Sequence, residues 1–262
     1  MRNLTIVQRV IATAAMVIAE ITIASAGFAG TNAPSPPPIS PIAEKVLTNA
    51  CGLLSSSHAF SFHADILFDQ LLPSAVKVQF GGEMDFVLQR PDQLAVDYES
   101  DLGAKRLWYS GGKLTIYDPP HQVFATVEVP DSTEGALQYV AETRNLTIPL
   151  SAFAATNPCA RIKPQIIYGG YIGVNDVNGR ACDHVSFSGK HTDFQLWVDK
   201  SGKPIVRKIV INYRSQPGAP EFIAMLSDWK FPATIPVSRF KPQLPKSAHR
   251  IEFLQVKAEA QP

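Results

Sequence analysis

The sequence predicts an α+β fold, mainly β, in which a strongly curved antiparallel sheet wraps around one to three helices. The first observation is a long ribbon at 76–89 that sorts its side chains by parity. Val76, Val78, Phe80, Met84, Phe86 and Leu88 fall on even positions, and Lys77, Gln79, Glu83, Asp85 and Gln89 on odd ones, with Val87 the apolar exception. Side chains of a strand alternate between faces, so this segment has one dry side and one wet side. The second observation is a succession of short apolar runs separated by turn residues, close enough together to force antiparallel neighbours. The third is that helical periodicity is confined to a few short stretches.

In chain order, Arg2 and Arg9 precede an uncharged run at Val10–Ala19, and Ala24-Ser25-Ala26 offers a small-x-small cleavage site. Residues 1–26 are therefore expected to be a signal peptide, although Glu20 is unusual in one. No lipobox is visible, because Cys51 lies far into the chain and Thr48 stands where a leucine would be needed. Residues 27–39 form a proline-rich spacer, extended by composition. Ser40-Pro41 supplies an N-cap and a first-turn proline for a helix whose apolar face is Ile42, Val46, Leu47, Leu53 and Leu54.

Strands are expected at Phe60–Phe68, at the long ribbon, and at Leu94–Tyr98, Lys105–Tyr109, Leu114–Tyr117 and Val123–Val129. Gly81-Gly82 marks a bulge, coil or bend inside the ribbon. Ser110-Gly111-Gly112 is a hairpin signal. Asp131 with Glu134 resembles a capping box, opening a helix to about Arg144, and Pro149–Ala155 adds a helical turn. The segment Asn157–Tyr168 is a loop or lid. A second meander then runs through Cys182–Phe187 after an Asn178-Gly179 turn, Phe194–Val198, Ile205–Tyr213 and Glu221–Trp229. Phe231–Pro245 is proline-spaced and extended, and Ile251–Val256 could add an edge strand. The folded domain spans 40–256, and 257–262 is a disordered tail.

Composition narrows the function. The chain holds 24 basic and 23 acidic residues, and loss of residues 1–26 leaves 22 of each. This balance argues against nucleic acid, whose binding needs a basic face. No G-x-S-x-G, H-E-x-x-H or phosphate-loop motif occurs, and no cofactor is expected. Cys182, His184 and His191 are the best metal candidates, but a fourth ligand is missing, so no metal is assigned. Three cysteines leave at least one unpaired. Cys51 sits beside the first helix's apolar face as a small hydrophobe, while Cys159 and Cys182 could pair and pin the lid to the second meander. Most of the strand aromatics (Trp108, Tyr109, Tyr117, Phe124, Phe194, Trp197, Phe222, Trp229) belong to the core, and a subset could line a cavity.

Arg90-Pro91-Asp92-Gln93-Leu94, YSGGKLTIYDP (Tyr109–Pro119) and QLWVDKSGKPIVRKIVI (Gln195–Ile211) resemble the LolA/LolB-like superfamily of periplasmic lipoprotein carriers. They resemble still more closely an uncharacterised bacterial family labelled "predicted periplasmic protein". The resemblance covers about residues 40–255. It implies a half-open barrel over helices, with an apolar cavity that in the carriers receives acyl chains. None of the carriers' functional residues can be placed on this sequence.

The first expectation is therefore an exported, non-enzymatic, monomeric periplasmic protein that holds a hydrophobic ligand or a lipoprotein, with room for peripheral membrane contact. Met84, Phe86, Leu88, Val96, Tyr98, Leu114 and Ile116 are the expected cavity lining, and packed core is the competing reading for each. The alternatives are a protein-binding envelope regulator on the same fold and a hydrolase with an unrecognised site.

Overall fold

The computed structural model describes residues 38–144, 148 and 150–253. The expected signal peptide, the spacer up to residue 37, the last residues of the expected edge strand and the C-terminal tail lie outside the described residues. Helix α1 (Pro41–Ser56) is followed by β1 (Ala59–Leu71), β2 (Lys77–Gln89), β3 (Gln93–Ser100), β4 (Gly103–Ser110), β5 (Lys113–Asp118) and β6 (Val123–Glu128). Helices α2 (Thr133–Arg144) and α3 (Pro158–Ile162) separate these from β7 (Ile166–Val177), β8 (Arg180–Gly189), β9 (Asp193–Asp199), β10 (Val206–Asn212), β11 (Glu221–Lys230) and the short β12 (His249–Arg250).

The strands form a single 12-stranded sheet in the order β12-β6-β5-β4-β3-β2-β1-β11-β10-β9-β8-β7. The sheet is curved and open, and antiparallel throughout except for the β12–β6 pair. Strand β1 joins the two meanders, pairing with β2 on one side and β11 on the other. The β7 edge is covered at one point by the chain entering α1. There the Ser40 amide donates to Gly169 O at 2.9 Å, and the Gly169 amide donates to Pro38 O at 2.8 Å.

Helix α1 begins as its sequence dictates, with Ser40 Oγ accepting from the Ala43 amide at 3.2 Å. Its buried stripe is Ala43, Val46, Leu47, Ala50, Cys51 and Leu54, while Ile42 is 56% exposed and Leu53 only half-buried. The helix is thus rolled away from the expected stripe, so that Ala43, Ala50 and Cys51 are buried in place of Ile42 and Leu53. Helix α2 is capped one residue later than Asp131, by Ser132, whose Oγ accepts from the Gly135 amide at 3.1 Å. Glu134 does not close a capping box and turns instead to Arg161 and the Thr156 amide.

Gly81-Gly82 makes no bulge, because β1 and β2 keep continuous register across it. The glycine is needed for close approach. A Cβ on Gly82 would lie 2.6 Å from the Glu99 carbonyl oxygen. Val87 also finds its explanation. With Ala95, Trp108 and Tyr117 it is buried on the outer face under Phe240, carried there by the proline-spaced segment after β11. That segment is tied down by Gln89 Oε1, which accepts from the Ile235 amide at 2.7 Å, and by Arg239, which donates to Asp97 at 2.9 Å.

The main core lies between the helices and the inner face of the sheet. Its centre is aromatic. Phe62 stacks on Phe86 at 4.9 Å, meets Trp229 at 4.6 Å, and takes Phe153 edge-on at 5.8 Å. These rings fill the inner face over β1, β2 and β11.

Candidate functional site

Beyond the aromatic block, the inner face of β9 and β10 presents Phe194, Leu196, Val206, Ile209 and Ile211. Phe194 with Leu196, and Ile209 with Ile211, alternate with residues of the opposite face, and the register shift between Val206 and Lys208 brings Val206 to the same face. Across from them stand Leu47, Ala50, Cys51 and Leu54 of α1, with Leu150, Phe153, Pro158 and Ile162 from the segment leading into and through α3. The two walls do not meet. They enclose a cavity of about 690 Å³, within the range of about 300–1,000 Å³ usual for small-molecule sites. One end is bordered by the β8–β9 turn, Gly189–Thr192, and by Tyr213, which follows β10. Tyr213 also borders a smaller hollow of about 210 Å³ shared with Phe68, Tyr98 and Phe222. Burial pushes the Tyr213 phenol above its ordinary value, so it remains a neutral hydroxyl.

The walls are held by specific links. Cys51 and Cys159 form a disulfide between α1 and α3, with their Cα atoms 5.6 Å apart. Lys163 donates to Glu44 at 3.0 Å, a second bridge from the α3 side to α1. Arg90, in the β2–β3 turn, donates to Leu54 O at the end of α1, to Ser57 O, and to Ala154 O at 2.8 Å. The far turn is fixed by Arg214, whose guanidinium donates to Gly189 O and lies 3.5 Å from Asp193.

The expected pairing of Cys159 with Cys182 is corrected by this geometry. In β8, Val185 and Phe187 face the inner core, so Cys182 and His184 face outward. The sheet therefore stands between Cys182 and Cys159. Cys182 is a free, buried thiol against Val177 and Trp197, and burial, followed by nearby Asp199, pushes its pKa up to about 11. It is a poor nucleophile at neutral pH. His184 stacks on Trp197 at 3.9 Å, and its two ring nitrogens hydrogen-bond with the side-chain amides of Asn175 and Gln195. Burial, with Lys208 nearby, lowers its pKa. Both nitrogens are thus engaged. Among the described residues no cluster of three or more His, Cys, Asp or Glu has the arrangement of a metal site.

The expected lining residues are placed on the anticipated face but in the other half of it. Met84, Phe86, Leu88, Val96 and Leu114 are buried in the core, with Tyr98 and Ile116 packed against it, and none borders the large cavity. Tyr98 alone reaches a hollow, the smaller one. The reason is filling: α2, the aromatic rings and the turn at Ser151–Ala154 occupy the space over the first meander. The residues that do line the cavity come from α1, from the segment leading into and through α3, from β9–β10 and from the β8–β9 turn. Phe194 belonged to the aromatics from which a lining subset was expected. The available signal was the aliphatic inner face of β10, Val206, Ile209 and Ile211, which carries no ring.

Compared with known proteins, residues 43–254 match the model of the family described as predicted periplasmic protein (DUF2092). The chain belongs to this family. The family's description places it in the periplasm, the location expected from the sequence. No curated protein matches the chain. Similar solved structures include LprF from Mycobacterium bovis, at 15% identity and a TM-score of 0.45 over 81% of this chain and 100% of that one. The lipoprotein LppX from Mycobacterium tuberculosis is similar at 9% identity and a TM-score of 0.46, over 74% and 98% of the two chains. A LolA superfamily protein from Nitrosomonas europaea is similar at 12% identity and a TM-score of 0.37, over 76% and 97%. Likeness at this level says nothing about a ligand, and the case for one rests on the cavity of this family member.

Proposed function

We propose that this protein is a periplasmic binding protein that holds the hydrocarbon part of a lipid or lipid-modified polypeptide between α1, α3 and the β9–β10 wall. The observation that carries this reading is the 690 Å³ cavity itself, walled chiefly by leucine, isoleucine, valine and phenylalanine. Each methylene moved from water into such a space contributes about 0.8 kcal/mol, so an acyl chain binds without dedicated polar chemistry. Catalysis is not part of the reading, because among the described residues no hydrogen bond links a nucleophile to a base at the cavity. The sheet registers put the β1–β2 and β3–β4 turns at the same end as the cavity's polar border, and Leu71, Leu72, Val76 and Leu102 are exposed there. Peripheral contact of that rim with a bilayer is the expected route for loading.

Native mass spectrometry of gently purified protein tests this. The expected result is a lipid-sized adduct, removed by delipidation and restored by added long-chain lipid. Ile209→Trp should reduce uptake while leaving the denaturation midpoint close to that of the parent. A protein that neither carries nor takes up lipid would overturn the proposal.

A further inference from the structure

The charged groups that border the cavity are distributed unevenly. Among the described residues no aspartate or glutamate lines the cavity, and its charged and ionisable lining consists of Lys190 and His191 in the β8–β9 turn together with Tyr213. The neighbouring acids are already engaged. Asp193 accepts from Ser188 Oγ at 2.6 Å and faces Arg214 at 3.5 Å, while Glu44 is paired with Lys163 at 3.0 Å. Among the described residues no carboxylate pairs with Lys190, so one uncompensated cation stands at this end. The smaller hollow beyond Tyr213 has the opposite character. It is bordered by Asp69 and Glu221; Asp69 is paired with Lys77 at 3.1 Å, while among the described residues no cation pairs with Glu221.

We infer that the cavity's ligand is an amphiphile with an anionic head, a carboxylate or phosphate monoester, seated at Lys190 and His191 with its hydrocarbon against β9 and β10. This rests on the binding-protein reading above and adds to it the chemical class and orientation of the ligand. Glu221 beyond Tyr213 repels an anion from that side and leaves the β8–β9 turn as its place. Lys190 acts as a point charge, and the exposed backbone of the turn is held still by Arg214, so the head meets a fixed site.

The test compares lipids of one acyl chain with different heads, using delipidated protein at low ionic strength. Lysophosphatidate and monopalmitoylglycerol differ only by the phosphate, and palmitate supplies the free carboxylate. The parent protein should bind the two anionic lipids about fivefold more tightly than monopalmitoylglycerol, as for a largely exposed charge pair. Added salt should erode that preference. Lys190→Glu should abolish it, and His191→Gln should weaken it. The relative affinities of palmitate and lysophosphatidate distinguish a fatty acid from a phospholipid as the source of the head. Equal binding of all three lipids by the parent, or an anion preference that survives Lys190→Glu, would overturn the inference while leaving the cavity reading intact. Failure of every lipid, monopalmitoylglycerol included, would remove the binding-protein reading and this inference with it.

Discussion

Arg90 shows how a single side chain can hold distant parts of this fold together. Its guanidinium donates to carbonyls at Leu54, Ser57 and Ala154, so one turn of the sheet caps α1 and anchors the Ser151–Ala154 turn beside the cavity. Arg90→Met keeps much of the stem but strands those carbonyls, and urea denaturation should show a loss of about 2–3 kcal/mol. The motif around Arg90 was visible in the sequence. Its role was not, because the partners are backbone groups with no side-chain signature. Asp199 is a second residue whose environment makes a measurable claim. Burial alone would raise its pKa, but Arg207, donating at 2.8 and 3.1 Å, and two donors from Ser201 more than offset this and lower it below 3.8. A depressed carboxylate pKa stabilises the fold above the unfolded-state value and stops doing so as the pH falls through the folded-state value. The stability gap between the parent and Asp199→Asn should therefore be constant near neutrality and close below about pH 4. A gap that widened in acid would contradict the assignment.

At the scale of elements, the α1–α3 disulfide is the main constraint on the cavity wall. It joins residues 108 apart in sequence, so in the chain-entropy account it restricts a large unfolded loop. Cys51→Ser with Cys159→Ser should cost about 2–4 kcal/mol in chemical denaturation. In the parent protein, a thiol reagent should find one cysteine, and only after unfolding, because Cys182 is buried with its pKa raised. Rapid labelling of the native protein would refute that burial. The wrong pairing expected from sequence was avoidable in principle. The alternation Val185, Phe187 fixes the inner face of β8 and sends Cys182 outward. What the sequence could not supply was the position of α3, a short helix whose docking depends on tertiary contacts rather than on periodicity. The strand elements, by contrast, were legible to within a few residues, because alternation and tight turns are local properties. Asn178 and Gly179, with φ of 52° and 76°, form the hairpin their identities demand.

For the molecule as a whole, the two meanders carry the same binary pattern yet end in different states, one packed and one hollow. Pattern specifies which face is dry; it does not specify how much volume remains once the helices have landed. Over β1 and β2 the rings of Phe60, Phe62, Phe86 and Phe153 take up that volume, whereas over β9 and β10 it is left to shorter aliphatic chains. This asymmetry predicts a separation of stability from capacity. Met84→Ala, in the filled half, should cost about 2–4 kcal/mol of stability and leave lipid binding unchanged once the protein is folded. Ile209→Trp, in the hollow half, should do the reverse. Measured against saturated acyl chains of increasing length, parent affinity should rise about fourfold per methylene while the chain is still being buried, then level off when the cavity is full. In Ile209→Trp the levelling should come at a shorter chain, and in Met84→Ala at the parent length. A plateau that responded to both substitutions alike would place the hydrocarbon elsewhere than against β9 and β10.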